Sequence, residues 1–238
     1  MTNADLLGLA ASYTYAISLL ALGEGLRRFF GIQPDLTRKV IHISAGMWIF
    51  GVLLLFKHWQ IGIIPFATFI GVNYLLYRYR IIGAMDTEDS SPGTVYFAIS
   101  VTLLFGLFWR PDNSVDHVPI AVAGIMAMTW GDALAALIGK SFGKHKYQIG
   151  SSVRSWEGSL AMFLASTTAI FLVLMFLPGS FLSPLAVPFS LSKALLTALI
   201  SASFATLVEA ISPHGTDNLS VPLVTAGVIW ALMQISVW

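Results

Sequence analysis

The chain has 238 residues, of which 56% are hydrophobic, 13% aromatic and only 11% charged, and its mean hydropathy is +0.78. Soluble domains carry about 25% charged residues, so the polar surface that would clothe a water-soluble enzyme is missing, and lipid must be the solvent for most of the exterior. A net charge of +1 argues against nucleic acid as a partner, and the absence of cysteine removes disulfides, thiolate nucleophiles and cysteine-ligated metal sites.

A helix needs about 20 apolar residues to cross a bilayer core. Apolar stretches between polar breaks predict eight spans, near 5–27, 40–57, 59–77, 93–110, 117–139, 155–177, 189–211 and 219–238. The last ends at the C-terminus, so seven crossings remain an alternative. Runs such as Ala161 to Leu177 lack the apolar/polar alternation of a barrel strand. The expected fold class is therefore all-α: a polytopic integral membrane helical bundle forming one domain over residues 1–238. Met1 to Asp5 carries no basic residue ahead of the apolar run, unlike a cleavable signal peptide. With eight crossings, the odd-numbered loops hold Arg27, Arg28, Arg38, Lys39, Arg78, Arg80, Lys140, Lys144, Lys146 and Arg154, and the even-numbered ones only Lys57, Arg110 and Lys193. This asymmetry predicts that the odd loops face the cytoplasm and both termini the opposite side. Trp48, Trp59, Trp109 and Trp238 fall toward span ends as interfacial anchors would, and the apolar stretch around Pro178, Pro184 and Pro188 reads as a surface-hugging connection.

Polar residues inside apolar helices carry the functional signal. Asp132 lies roughly 10 Å inside its span if the helix ends near Gly139, at ~1.5 Å rise per residue. A carboxylate at that depth requires a cation, a donor or water. Ala136, Gly139 and Gly143 share its helix face, leaving room for another backbone or for phosphates. A helix-packing seam with a buried acid is the competing reading of this segment.

The segment from Lys140 to Ser159 combines glycines, hydroxyls and the cations Lys140, Lys144, Lys146 and Arg154, then enters a helix with Glu157 in its first turn. Backbone N–H groups near glycine, a helix start and basic side chains are the ingredients of a triphosphate site. Positive-inside charge and simple capping by Ser155 would explain the same residues. Two further clusters lie on the same predicted side. Arg38, Lys39 and His42 fall within one helical turn, and Glu209, Asp217 and Asn218 flank the turn that contains His214. Hard oxygen ligands of this kind suit Mg²⁺ beside substrate phosphates. Glu24 is placed to pair with Arg28.

Acids converge with these cations. Glu24, Asp35, Asp86, Glu88, Asp89, Asp132, Glu157, Glu209 and Asp217 lie on the side of the odd loops, against Asp5, Asp112 and Asp116 opposite. Positive-inside bias asks nothing of acids. A reaction between a cytosolic metal-nucleotide and a membrane-embedded acceptor requires this placement.

At these residues the sequence resembles the CTP-dependent polyprenol kinase family, which groups phytol, farnesol and dolichol kinases with a CTP-dependent diacylglycerol kinase, and is more distantly similar to CTP:phosphatidate cytidylyltransferases. The resemblance runs from Glu24-Gly25-Leu26 through Thr37-Arg38-Lys39-Val40-Ile41-His42, Pro92-Gly93-Thr94-Val95-Tyr96-Phe97-Ala98, Trp130-Gly131-Asp132, Gly143-Lys144-His145 and Ser155-Trp156-Glu157-Gly158-Ser159 to Glu209 and Asp217-Asn218-Leu219-Ser220-Val221-Pro222. The phytol kinase branch looks closest. Where the family usually has a lysine, often a pair, before Ser-x-Glu-Gly, this chain has Val153-Arg154.

The resemblance implies a lipid kinase that transfers a phosphoryl group from CTP, with Mg²⁺, to the hydroxyl of an isoprenoid alcohol at the cytoplasmic face. Asp132 and Asp217 are the expected metal ligands, with Glu157 and Glu209 in the same shell. Arg38, Lys39, Gly139, Gly143, Lys144, Lys146, Arg154, Ser155 and Asn218 are the expected nucleotide contacts. Asp132, His42 and Glu157 are the catalytic candidates, and the sequence does not choose between Asp132 and His42 as proton acceptor. A cytidylyltransferase, a diacylglycerol kinase, a cation-coupled transporter and a structural subunit are the competing readings.

Overall fold

A computed structural model describes residues 1–81, 91–110, 115–150, 152–213 and 215–235. Asp86, Glu88, Asp89, Asp112, His214 and Trp238 lie outside the described residues. The described chain is a helical bundle of α1 (Asn3–Phe30), α2 (Pro34–Leu55), α3 (Trp59–Gly62), α4 (Ile64–Tyr79), α5 (Gly93–Phe108), α6 (Val118–Phe142), α7 (Trp156–Phe176), α8 (Leu191–Ile211) and α9 (Asp217–Gln234), with one hairpin, β1 (Lys146–Ile149) and β2 (Ser152–Ser155). The helices coincide with the apolar stretches of the sequence. Among the described residues six segments are long and apolar enough to cross a membrane: α1, α2, α3 with α4, α6, α7 and α8. At 16 residues α5 is shorter, and α9 has 18, opening on Asp217 and Asn218.

Local chemistry sets the helix ends. Thr2 and Asp5 form a capping box at the start of α1, and Gly31 closes that helix in the left-handed region at φ 64°. Pro34 opens α2, where a missing N–H costs nothing. The third predicted span is broken at Ile63, because Pro65 has no N–H to donate and its ring collides with the carbonyl one turn back. The turns around Pro178 and Pro184 are pinned by Asp116, whose Oδ2 accepts from Ser183 Oγ at 2.7 Å.

Between Ile120 and Met128, α6 is almost wholly buried. It is the axis on which α2, α5, α7, α8 and α9 pack. Large side chains such as Ile17, Leu54, Leu107, Leu164, Phe176 and Leu207 point outward, as helices solvated by lipid require. Close approach at two glycines positions the polar end. A Cβ at Gly46 of α2 would overlap the Thr129 side chain of α6, and one at Gly158 of α7 would lie 3.0 Å from the Ala135 carbonyl of α6. These crossings bring the first turns of α2 and α7 against Asp132 and the last turns of α6.

Gly46→Val is expected to cost about 1–3 kcal/mol through overpacking, seen as earlier thermal unfolding in detergent. Gly71→Ala, where open space surrounds the backbone inside α4, should stabilise by about 0.5–1 kcal/mol.

Candidate active site

Asp132 is the centre of the polar end of the bundle. Its side chain is 14% exposed, and Oδ2 lies 2.6 Å from Nζ of Lys39, itself 13% exposed. Lys39 also donates to the Asp132 carbonyl at 3.4 Å. His42, one turn further along α2, places Nε2 3.7 Å from the same Oδ2, and that nitrogen has no hydrogen-bond partner among the described residues. Its ring meets Phe97 of α5 edge-on at 5.6 Å between centroids. The spacing of Lys39 and His42 along one helix face therefore delivers both to one carboxylate.

Arg154 of β2 holds a second group of acids. Its Nε lies 2.8 Å from Oε1 of Glu209, at the end of α8. Its Nη2 lies 3.7 Å from Oδ2 of Asp217, the first residue of α9, and donates to the Ser212 carbonyl at 3.4 Å. Asp217 Oδ1 accepts from the Asn218 backbone N–H at 2.9 Å and from Asn218 Nδ2 at 3.1 Å. The Asn218 amide oxygen is buried and has no hydrogen-bond partner among the described residues.

Two cavities meet at these groups. The larger, about 700 Å³, has a charged mouth formed by Arg38, Lys39, His42, Asp132, Arg154, Asp217 and Asn218. It continues between α1, α2, α4 and α5 along Leu19, Leu20, Ala45, Phe66, Phe69 and Leu76. The smaller, about 260 Å³, lies between α6, the hairpin, α7 and α8, with Lys140, Lys146, Arg154, Ser155 and Glu209 in its wall beside Ala135, Ala136 and Val153. Asp132, Ala136 and Arg154 line both. The two cavities thus share a wall at the charged residues Asp132 and Arg154.

The segment between α6 and α7 departs from the expected loop of phosphate-cradling glycines. It contains an antiparallel hairpin in which Lys146 pairs with Ser155 and Tyr147 with Arg154, turning at Gly150 with φ 59°. Gly143 ends α6, its N–H donating to the Gly139 carbonyl, and both glycines leave room for Ser155. Gly139 also lines the smaller cavity. Ser155 caps α7 by accepting from the Gly158 N–H at 3.1 Å. Lys144 is exposed and lines neither cavity. Glu157 is not brought to the other acids. Its Oε1 lies 2.7 Å from His145 Nδ1, and both its oxygens accept from the His145 N–H at 3.3 Å, so it clasps the hairpin to α7. Tyr147 reinforces that clasp through Ser159 Oγ at 2.6 Å. At the end of α1, Glu24 pairs with Arg28 as its spacing predicts, and also with Arg27.

Some residues at the cavities were not singled out from the sequence as site residues. Asn73, an amide deep in the third apolar stretch, donates to the Thr94 carbonyl at 3.0 Å and faces the larger cavity with Ser91, Gly93 and Gly215. A Cβ at Gly93 would lie 3.0 Å from Asn218 Nδ2. The signal was present in Asn73, a polar group within an apolar run. Lys140 is tied to Asp35 at 2.6 Å.

Among the described residues no three His, Asp or Glu side chains are grouped to hold a metal alone. Mg²⁺ beside a triphosphate needs less, because it takes one or two carboxylates and completes its octahedron with phosphate oxygens and water. Asp132, Asp217 and the unpartnered Asn218 oxygen at one cavity mouth fit that partial donor set.

Curated relatives of similar sequence are named as phytol kinases. The chain is 36% identical to the phytol kinase of Synechocystis sp. over 227 residues, covering 94% of this chain and 90% of that protein. It is 30% identical to probable phytol kinase 2, chloroplastic, of Oryza sativa subsp. japonica, covering 92% and 73%. It is 29% identical to probable phytol kinase, chloroplastic, of Triticum aestivum, covering 97% and 77%. No family model and no solved structure matches the chain.

Removing Lys39 alone leaves Asp132 buried without its partner, which costs about 3–5 kcal/mol. Lys39→Met is therefore expected to lower the unfolding temperature in detergent sharply. Adding Asp132→Asn should recover part of that loss, since no uncompensated charge remains.

Proposed function

We propose that this chain, which belongs to the phytol kinase family, transfers the γ-phosphoryl group of CTP to the hydroxyl of an isoprenoid alcohol at the junction of its two cavities. The chain is a phosphotransferase acting on an alcohol acceptor. The observation that carries the finer reading is the shared wall. Asp132 and Arg154 line both a small cavity walled by Lys140 and Lys146 and a larger one whose far lining includes Leu19, Leu20, Phe66, Phe69 and Leu76. A triphosphate suits the first, a hydroxyl on a prenyl tail the second.

Phosphoryl transfer passes through a loose transition state with charge spread over the phosphate oxygens, so the site must chiefly position the donor and neutralise charge. In this reading Arg154, Lys140 and Lys146 exchange carboxylate or solvent contacts for phosphate oxygens, with Arg38 and Lys39 at the groove side. The fork of Arg154 offers directed donors that a lysine would not. The alcohol enters laterally from the bilayer, with its hydroxyl near Asp132 and His42. The unpartnered Nε2 of His42 makes it the proposed acceptor of the hydroxyl proton, while Asp132, held by Lys39, orients the pair. Asp132 and Asp217, with Asn218, are the proposed holders of a Mg²⁺, which when bound neutralises phosphate charge. The excess of basic side chains at this end supports a cytoplasmic orientation.

Purified protein given CTP and phytol, farnesol or geranylgeraniol is expected to release CDP and form the prenyl monophosphate. Release of pyrophosphate, or phosphorylation of diacylglycerol in place of every prenyl alcohol, would overturn the proposal. His42→Ala should lower kcat by about 10²–10⁴-fold, the contribution of a positioned general base, with the KM for CTP little changed. Asp132→Asn should abolish transfer, and Arg154→Lys should raise the KM for CTP.

A further inference from the structure

The groove that receives the acceptor in the proposed function has a built far end. On α2 the cavity lining runs from Arg38 to Trp48, and on α1 it ends at Ser12. Trp48 does not hang loosely there. Its indole N–H donates to Ser12 Oγ at 3.1 Å, and Ser12 is 2% exposed. Its ring stacks on Tyr15 at 4.2 Å and 15°, and the Tyr15 hydroxyl donates to the Ser44 carbonyl at 3.0 Å. A Cβ at Gly51 would lie 2.9 Å from the Trp48 ring, so the absence of a side chain one turn further along α2 accommodates the indole. On the opposite wall Phe66 is buried and braced edge-on by Phe105 at 5.8 Å.

Across a lipid-facing groove such a cross-link is more than packing. Fixed aromatic rings tied to two helices resist displacement by a flexible tail. Trp48 lies nine residue steps beyond Lys39 at the charged mouth, about 14 Å along α2 at ~1.5 Å per residue. Apolar side chains line most of that interval, and they recognise length and shape rather than polarity.

We propose that Trp48, clamped by Ser12 and Tyr15, is the floor of the acceptor groove and sets the upper length of the isoprenoid alcohol. It is a specificity-determining residue outside the charged site. Ala45, one turn nearer the mouth and in the same lining, is then the position at which the groove can be shortened. The inference rests on the alcohol kinase reading, and it predicts opposite effects at neighbouring positions on one helix.

The test is kcat/KM for geraniol, farnesol, geranylgeraniol, phytol and a long polyprenol, presented in mixed micelles with CTP, for the wild-type chain, Trp48→Ala and Ala45→Phe. Trp48→Ala should shift the ratio of long polyprenol to farnesol upward by about tenfold or more, since an apolar pocket discriminates an added methylene by that order. Ala45→Phe should shift the ratio of phytol to geraniol downward by a similar factor. Because Trp48 also links α1 to α2, its variant is read only as a ratio between acceptors, and Ala45→Phe, which keeps the clamp, gives an independent reading. Equal loss on all acceptors in both variants, or a wild-type chain indifferent to length, would overturn the ruler and leave the kinase standing. A wild-type chain that phosphorylates no prenyl alcohol would overturn the underlying reading instead.

Discussion

A carboxylate buried in a helix long and apolar enough to cross a membrane has to be compensated, and the pairing of Asp132 with Lys39 meets that requirement. The geometry of the polar end follows from it. Lys39 can reach Asp132 only if α2 lies close against α6, and the Gly46 crossing permits that approach. Once α2 is seated, His42 falls on the same carboxylate one turn away, and Arg38 turns to the cavity mouth. Replacing such a pair with apolar side chains can be neutral or stabilising.

The same economy governs the second cluster. Arg154 is carried by a hairpin of two four-residue strands, too small to stand in water alone. Glu157, His145, Tyr147 and Ser159 fasten it to α7, and Ser155 both ends β2 and caps α7. Arg154 is thereby held between Glu209 and Asp217, with a cavity on either side. Single residues serve as wall, cap and ion pair together because the bundle has few polar side chains to spend. Glu157 illustrates the result: it supports the site through the hairpin instead of lining it.

Position along the chain made much of this legible. The apolar runs forecast the helices, and Asp132 stood out as an acid within one of them, although α6 runs to Phe142 and not only to Gly139. Lys39 and His42 declared a common face by their spacing. The hairpin was not legible, since four-residue strands are too short for alternation to register and the glycines and lysines around them imitate a phosphate loop. Asn73 and Gly93 were passed over as potential site residues for a different reason. Each is isolated in its own segment, and each gains meaning only where α4, α5 and α9 converge.

Hydrophobicity and helix period act locally, so the amino-acid order alone was enough to give a helical bundle of membrane type and the course of most of its helices. The choice of partners lay beyond it. Whether Glu157 joins Asp132 or His145, whether Arg154 meets Glu209, and where the apolar groove ends at Trp48 depend on how helices distant in sequence rotate and approach. Those quantities are set by close contacts such as Gly46 on Thr129 and Gly158 on Ala135. Such contacts exist only once the whole bundle is packed.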